Sequence, residues 1–412
     1  MQHRRVCITG MGVVSPIGVG MDDFAANLKA GVSGIHVLQN DSNPGTPPRV
    51  AGIVDIDFRK YLPPAKIPGL DRVSLLAMTA ARLATQDATL ASAPSLADAG
   101  IYIGTGIGGV GALETAYEEY FVRAGARIKP LTVIQAMNNA PAAHIAMEYG
   151  CHGPVLTYST ACSSSAMAIG EACRAIRHGY TSCALAGGTE AMLVPGTIRA
   201  WEALRTLAIP DTAEPSTSCR PFAKGRTGLV LAEGAAVLVL EEYEQARRRG
   251  ARIYAMISGY GCRTDATHLT KPDQNGQAAT MLAALTDAGL RASDIGYINA
   301  HGTATQVGDA VETQAIKLAF GVDAMTVPVS STKSMHGHVM GATGAVEFIA
   351  SVIALTSEFL PPTINLIDPD PECDLDYVPN KAREGVAMRH VMSNSFAFGG
   401  SNAVLIASRV PP

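Results

Sequence analysis

The sequence predicts an α/β protein made of two fused, related halves. Short β-branched runs alternate with longer helical stretches of small residues. The 412 residues exceed what one simple core encloses, and one segment pattern occurs twice. Hydrophobic residues are 47% and charged residues 17%, which excludes a disordered chain. With 41 Gly, 24 Pro and 5% aromatics, the elements should pack closely and turn often.

The opening MQHRRVCITGMGVVSPIG has basic residues before an apolar run, as a signal peptide would. Gly10, Gly12, Ser15 and Pro16 break that run and no small-x-small site follows, so it reads as a first strand, Val6–Thr9. Asp22–Lys29 reads as a helix, and NDSNPGTPP (40–48) as a surface loop. A helix at Val73–Leu90 and a strand at Ile101–Gly104 follow. Val155–Tyr158 reads as a buried strand feeding a helix at Ser163–Arg177, with strands at Cys183–Ala186 and Val237–Leu240 beyond it. EEYEQARRRG (241–250) is a short charged helix closed by Gly250, with Arg247–Arg249 on a solvated face. It divides the chain into halves 1–250 and 251–412. The second half gives strands at Ile253–Ile257, Tyr297–Asn299, Val327–Ser330, Val391–Asn394 and Ala403–Ala407, and helices at Gln277–Ala288 and Gly344–Thr356.

Residues 159–177 (STACSSSAMAIGEACRAIR) share their layout with residues 331–355 (STKSMHGHVMGATGAVEFIASVIAL). Each has Ser-Thr after an apolar strand, an open turn, and a small-residue helix carrying Glu171 or Glu347. Double glycines follow, in LAGG (185–188) and FAFGG (396–400). The offsets, 331 − 159 = 172 and 399 − 187 = 212, fit one ancestral unit carrying a loop insertion.

Lys plus Arg total 32 against 36 Asp plus Glu, a formal charge of −4. Nucleic acid or an anionic membrane is therefore not expected as the main partner. Eight cysteines without a CxxC pair suggest reduced, mostly buried thiols. No unbroken apolar window reaches the roughly 18 residues of a membrane span. A cytoplasmic protein is expected.

Four places can carry chemistry. Cys162, in TACSSS, follows a strand and opens a helix, where unpaired amides and the helix dipole would lower a thiol pKa. It reads as a nucleophile or as a small buried hydrophobe. His301, in NAHGTAT, ends a strand beside Gly302, with Thr303 and Thr305 on the same loop. It can act in a crevice or merely brace its loop. Asp309 and Glu312 cap and brace the helix that follows. KSMHGHVMGATGAVE contains Lys333, His336, His338 and Glu347. A pseudo-twofold axis would set this turn opposite Cys162, and the alternative is a solvated turn. In SFAFGGSN the Phe398 amide can serve an oxyanion, or the glycines simply make a turn. Two weaker signals are a GxGxxG at 104–109, read against a dinucleotide site, and His301 with His336 and His338, read against zinc.

Together TACSSS, AGGTEA (186–191), RPFAKGRTGLVLAEGAAVLVLEE (220–242), NAHGTAT, SSTKSMHGH, GATGAVE, LPPTINL (360–366) and NSFAFGGSN (394–402) resemble the β-ketoacyl-[acyl carrier protein] synthases of the thiolase superfamily. The resemblance implies a duplicated five-layer αβαβα fold. It implies Cys162 as the acyl-accepting nucleophile, and His301 and His338 as the groups that assist decarboxylation of malonyl-carrier protein. Lys333 would support the histidines, and Glu347, with Asp309, would support the site. The amides of Cys162 and Phe398 would form the oxyanion hole, with Phe398 also a gate beside Gly399. Thr303 and Thr305 resemble the grip on phosphopantetheine, and Ile107 the residue limiting the acyl pocket.

The Cys-His-His set resembles the elongating synthases, which use no cofactor beyond the phosphopantetheine of the acyl carrier protein. His336 departs from the non-ionisable residue usual there. The TACSSS spelling is closer to polyketide enzymes, which opens a polyene or modified-lipid pathway beside primary fatty acids. Lys60, Lys66, Arg72, Arg127 and Lys129 are candidates for docking an acidic carrier. The partner would be a second copy or a related synthase-like subunit. The rival readings are a thiolase-fold acyltransferase or decarboxylase that makes no carbon–carbon bond, and a scaffolding subunit.

Overall fold

The computed structural model describes residues 4–38, 49–90, 96–123 and 127–410, so the expected loop at 40–48 lies outside the described residues. In the first half the principal strands are β1 (Val6–Ser15), β2 (Gly100–Gly104), β3 (Val155–Tyr158), β4 (Cys183–Glu190) and β5 (Gly234–Glu242). The second half supplies β6 (Ala255–Thr264), β7 (Tyr297–Asn299), β8 (Val329–Ser330), β9 (His390–Phe396) and β10 (Ser401–Ser408). The first five lie in the order β3-β2-β4-β5-β1 and the second five in the order β8-β7-β9-β10-β6.

Rank for rank the two orders are identical. So are the directions: β2 runs parallel to β3 and β4 while β5 is antiparallel to β4 and β1. In the second half β7 is parallel to β8 and β9, and β10 is antiparallel to β9 and β6. The halves join where β1 meets β6, with Cys7 opposite Met256.

Six helices complete the layers: α1 (Arg72–Asp87), α2 (Ala140–Tyr149), α3 (Ser164–Arg177), α4 (Gln274–Ala288), α5 (Gln306–Phe320) and α6 (Thr343–Ser357). Helices α1 and α2 cover the outer face of the first sheet, burying Leu76 and Ala80 with Val237 and Val239. Helices α4 and α5 cover the second, and α3 and α6 form the shared middle layer. The result is the five-layer αβαβα arrangement. The 18 residues Met340–Ser357 have a mean hydropathy of 1.4 and are 89% buried, so their apolarity serves this middle layer.

Small residues make the close approach possible, and they do it twice. A Cβ on Gly10 or Gly12 would lie 2.3 and 2.1 Å from the carbonyls of Ala84 and Ala80 in α1. One on Gly259 or Gly261 would lie 2.4 and 2.2 Å from those of Ala284 and Thr280 in α4. Gly10 and Gly12 therefore lie inside β1, which runs on to Ser15 and is not broken at them.

Several expectations change. Strand β3 is the sheet edge, with Val155 and Leu156 exposed, so it is not buried. Glu241 and Glu242 end β5, leaving the charged helix at Tyr243–Arg248. Gly187 and Gly188 lie inside β4, whereas Gly399 and Gly400 follow β9, so the double glycines are not equivalent. The equivalent turns are Ala161–Ser163 and Met340–Ala342, each leading into a middle helix, at an offset of 340 − 161 = 179. The Ser-Thr pairs are offset by 172, so the second half carries 179 − 172 = 7 extra residues between strand and helix. Glu171 and Glu347 consequently occupy different positions on their helices. The insertion holds Lys333 and His338.

Candidate active site

Cys162 lies in the turn Ala161–Ser163, between β3 and α3. Ala161 is held at φ +50, an uncommon conformation for a residue with a Cβ. Ser164 satisfies the turn: its Oγ accepts from the Thr160 amide (2.9 Å) and donates to the Ala161 carbonyl (2.7 Å). The inserted segment of the second half faces this turn. His338 Nε2 is 3.1 Å from Cys162 Sγ. One ligand atom each of Cys162, His301 and His338 falls within 4.8 Å of the others, and the two imidazoles meet edge-on at 5.4 Å. All three line a cavity of about 500 Å³ with Thr303, Thr305 and Phe398.

Hydrogen bonds fix the imidazole protons. The Met340 amide donates to His338 Nδ1 (3.1 Å), which makes Nδ1 an acceptor and puts the hydrogen on Nε2, toward the sulfur. Lys333 Nζ lies 3.4 Å from His301 Nδ1 and selects the same tautomer there. Lys333 Nζ also donates to the His301 carbonyl and to Glu347 Oε1, both at 2.5 Å. Burial, with the Lys333 charge second, holds both histidines well below their usual range and so neutral. Burial pushes the Glu347 carboxyl up to about 8, against the pull of Lys333.

The expected depression of the Cys162 thiol is overturned. Burial raises it to about 11, outweighing Lys333 and the amides of Phe398 and Cys162 that face the sulfur. Those amides and His338 Nε2–H hold a thiolate once formed, but at neutral pH the resting group is a thiol. Alkylation of Cys162 by iodoacetamide, followed by mass spectrometry, should therefore quicken about tenfold per pH unit from about pH 8 to about pH 10. A rate already flat below neutrality would contradict this.

The β-ketoacyl synthase N-terminal domain family matches residues 3–246 and the β-ketoacyl synthase C-terminal domain family residues 254–367. This chain belongs to the β-ketoacyl synthase family. It is 44% identical to nodulation protein E of Rhizobium meliloti (strain 1021), over 99% of this chain and 100% of that one. It is 40% identical to 3-oxoacyl-[acyl-carrier-protein] synthase 2 of Staphylococcus aureus (strain COL), over 98% of each. The solved ishigamide ketosynthase/chain length factor superposes with a TM-score of 0.93 at 35% identity, covering 99% of this chain and 100% of that one.

Around the three central side chains, the synthase places the other sequence candidates unevenly. His336 is turned away from the sulfur, its nitrogens taken by the Gly337 carbonyl (2.7 Å) and Thr332 Oγ1 (3.0 Å). Glu312 accepts from the His301 and Gly302 amides (2.8 and 2.7 Å) and so fixes the histidine loop. Asp309 accepts from the Phe222 and Ala304 amides, a bracing role. Thr305 caps α5 through Gly308 and lies 3.0 Å from the Thr303 hydroxyl.

Phe398 stacks on Trp201 with centroids 6.1 Å apart. The Gly399 amide is spent on the Leu269 carbonyl (2.7 Å), so Gly399, at φ +82, makes the turn and offers no amide to a substrate. Ile107 lines an adjoining apolar groove with Tyr117 and Phe121, across Trp201 from the cavity. Of the basic docking candidates, Arg72 is committed to Glu233 (2.6 Å) and Lys66 pairs with Glu148, leaving Lys60, Arg127 and Lys129 exposed.

Sequence reasoning missed one residue. Glu190, inside AGGTEA, is fully buried at the end of β4 and accepts from the Gly106 (2.6 Å), Ile107 (3.3 Å) and Gly341 (2.9 Å) amides. The amides of the GxGxxG loop that a phosphate would need are thus occupied. An acid inside an otherwise apolar strand run, CALAGGTE, was the available signal.

Proposed function

We propose that this synthase extends an acyl chain by two carbons, by decarboxylative condensation of an acyl group on Cys162 with malonyl-[acyl carrier protein]. The convergence of one sulfur and two Nε2–H donors on one cavity carries the reading. Cys162 attacks the acyl thioester, and the pantetheine thiolate leaves with the proton the thiol gives up. His301 and His338 then donate to the malonyl thioester oxygen as carbon dioxide departs, stabilising the enolate. The enolate carbon attacks the Cys162 thioester, whose oxyanion meets the amides of Cys162 and Phe398. Collapse expels the Cys162 thiolate, which takes a proton from solvent to restore the resting thiol. Each preorganised donor of this kind lowers the barrier by roughly 3–4 kcal/mol. Thr303 and Thr305 line the approach for the phosphopantetheine arm, and Lys60, Arg127 and Lys129 offer cations to an acidic carrier.

A second subunit completes the assembly, in this proposal a copy of the same chain. Strand β3 ends the sheet with an open edge where Leu156 is exposed, and Tyr117, Phe121 and Val122 of the same half are exposed apolar residues. Sedimentation should give twice the 42.8 kDa of one chain, and Leu156→Glu should lower that mass toward one chain. A single-chain mass for the wild type would contradict pairing of identical copies.

The test of function is to prime the enzyme with acyl-carrier thioester, add malonyl-carrier protein and weigh the product. A β-ketoacyl carrier two carbons longer is expected. Acyl transfer or carbon dioxide release without the longer product would favour a non-condensing acyltransferase. An enzyme that never takes up acyl groups would favour a scaffold.

A further inference from the structure

Glu190, like Glu312, is a buried acid held by neutral donors. Among the described residues its partners are three backbone amides and the Thr105 hydroxyl, with no ion pair. Burying a carboxylate without a cation is costly. Burial accordingly pushes this one up to about 7 despite those bonds. The glycines around it are cut to its shape: a Cβ on Gly106 or Gly341 would lie 2.6 or 2.7 Å from its Oε2.

The Glu190 carboxylate bridges the two halves. One side is the first-half loop Thr105–Ile107. The other is Gly341, in the second-half turn that follows His338. Met340, between them in the chain, is held at φ +43, strained for a residue with a Cβ. The two successive amides of that turn are both committed. Met340 N–H goes to His338 Nδ1 (3.1 Å), and Gly341 N–H goes to Glu190 Oε2 (2.9 Å).

We infer that Glu190 is a positioning residue for His338: by anchoring the Gly341 amide it holds the strained Met340 turn, and that turn keeps the His338 hydrogen on Nε2. The carboxylate touches no reacting atom. Its two oxygens serve four donors across both halves, which a single amide oxygen could not do. The inference rests on the assignment of His338 to the condensation step above.

The test compares Glu190→Gln with wild type in the full enzyme. Acyl transfer to Cys162, followed by intact mass, should run at the wild-type rate. Carbon dioxide release and condensation should fall about 10- to 100-fold, the range for losing one charge-assisted hydrogen bond. In ¹⁵N-histidine spectra, the His338 signal (identified by its loss in His338→Ala) should move from the Nε2–H pattern toward a mixed one. Transfer and condensation falling in parallel, or condensation unchanged with an unchanged His338 signal, would overturn the inference. If Glu190→Gln does not fold, Met340→Gly loosens the same turn without touching the carboxylate. The same split is expected there, and its absence would overturn the inference. Failure of wild-type condensation, or full condensation by His338→Ala, would instead refute the underlying assignment.

Discussion

His338→Ala should still take an acyl group onto Cys162 but extend it about 10²–10³ times more slowly than wild type, the effect of losing one preorganised oxyanion donor. The split follows from where the ring points. Its Nε2–H faces both the sulfur and the cavity, and its Nδ1 is held from behind by the Met340 amide and Thr343 Oγ1 (2.9 Å). The neutral ring presents Nε2–H and not a lone pair to the sulfur, so it does not act as the base for the first attack; the proton lost by Cys162 ends on the leaving pantetheine thiolate. Only the second step develops charge on an oxygen that the ring must meet. Intact-mass spectra and product yields from the same samples read the two steps separately. Loss of both would contradict the division of labour, as would loss of neither.

The second large effect belongs to Lys333→Ala. Lys333 is 1% exposed and Glu347 fully buried, so removing the ammonium leaves the Glu347 carboxyl in the middle layer without its cation, uncompensated wherever it is ionised. Breaking such a pair while the carboxylate is ionised costs roughly 3–5 kcal/mol, and urea unfolding should approach a loss of that size only at pH above about 8. The pH dependence has a definite sign. The folded Glu347 is already raised from an ordinary 4.5 to about 8, and loss of Lys333 raises it further. A group raised in the fold contributes stability at low pH that disappears as pH rises through its folded value. The deficit of the variant should therefore grow as pH rises through about 8, and be smaller near about pH 7 than near about pH 9. Activity should fall with it, because Lys333 also holds the His301 carbonyl and selects its tautomer. A deficit independent of pH would mean that Glu347 is not the group left exposed to the loss.

Much of this was readable from the sequence where β-branched runs are short and bounded. Tyr297–Asn299 and Val155–Tyr158 have the bounds their residues suggested. Reading failed where glycine packs a strand against a helix, as at Gly10, Gly12, Gly259 and Gly261. In isolation such residues look like strand breakers, and only the facing helix explains them. The repeat of Ser-Thr turns identified the duplication, but counting residues from it misaligned the helices. A seven-residue insertion is invisible until both ends are seen. The cysteine shows the limit of local reasoning most plainly. The turn before α3 does aim amides at the sulfur, but the opposing half buries it, and that desolvation outweighs the local pull. Glu190 escaped notice because its partners come from two distant segments, Thr105–Ile107 and Gly341.

The most direct measurement is the mass of the intact protein after exposure to an acyl-[acyl carrier protein] thioester. Wild type should gain one acyl group, lost on hydroxylamine treatment as a thioester is, and Cys162→Ala should gain none. An adduct of the same mass on Cys162→Ala would mean that another residue takes the acyl group, and the arrangement of Cys162, His301 and His338 would not be the catalytic centre.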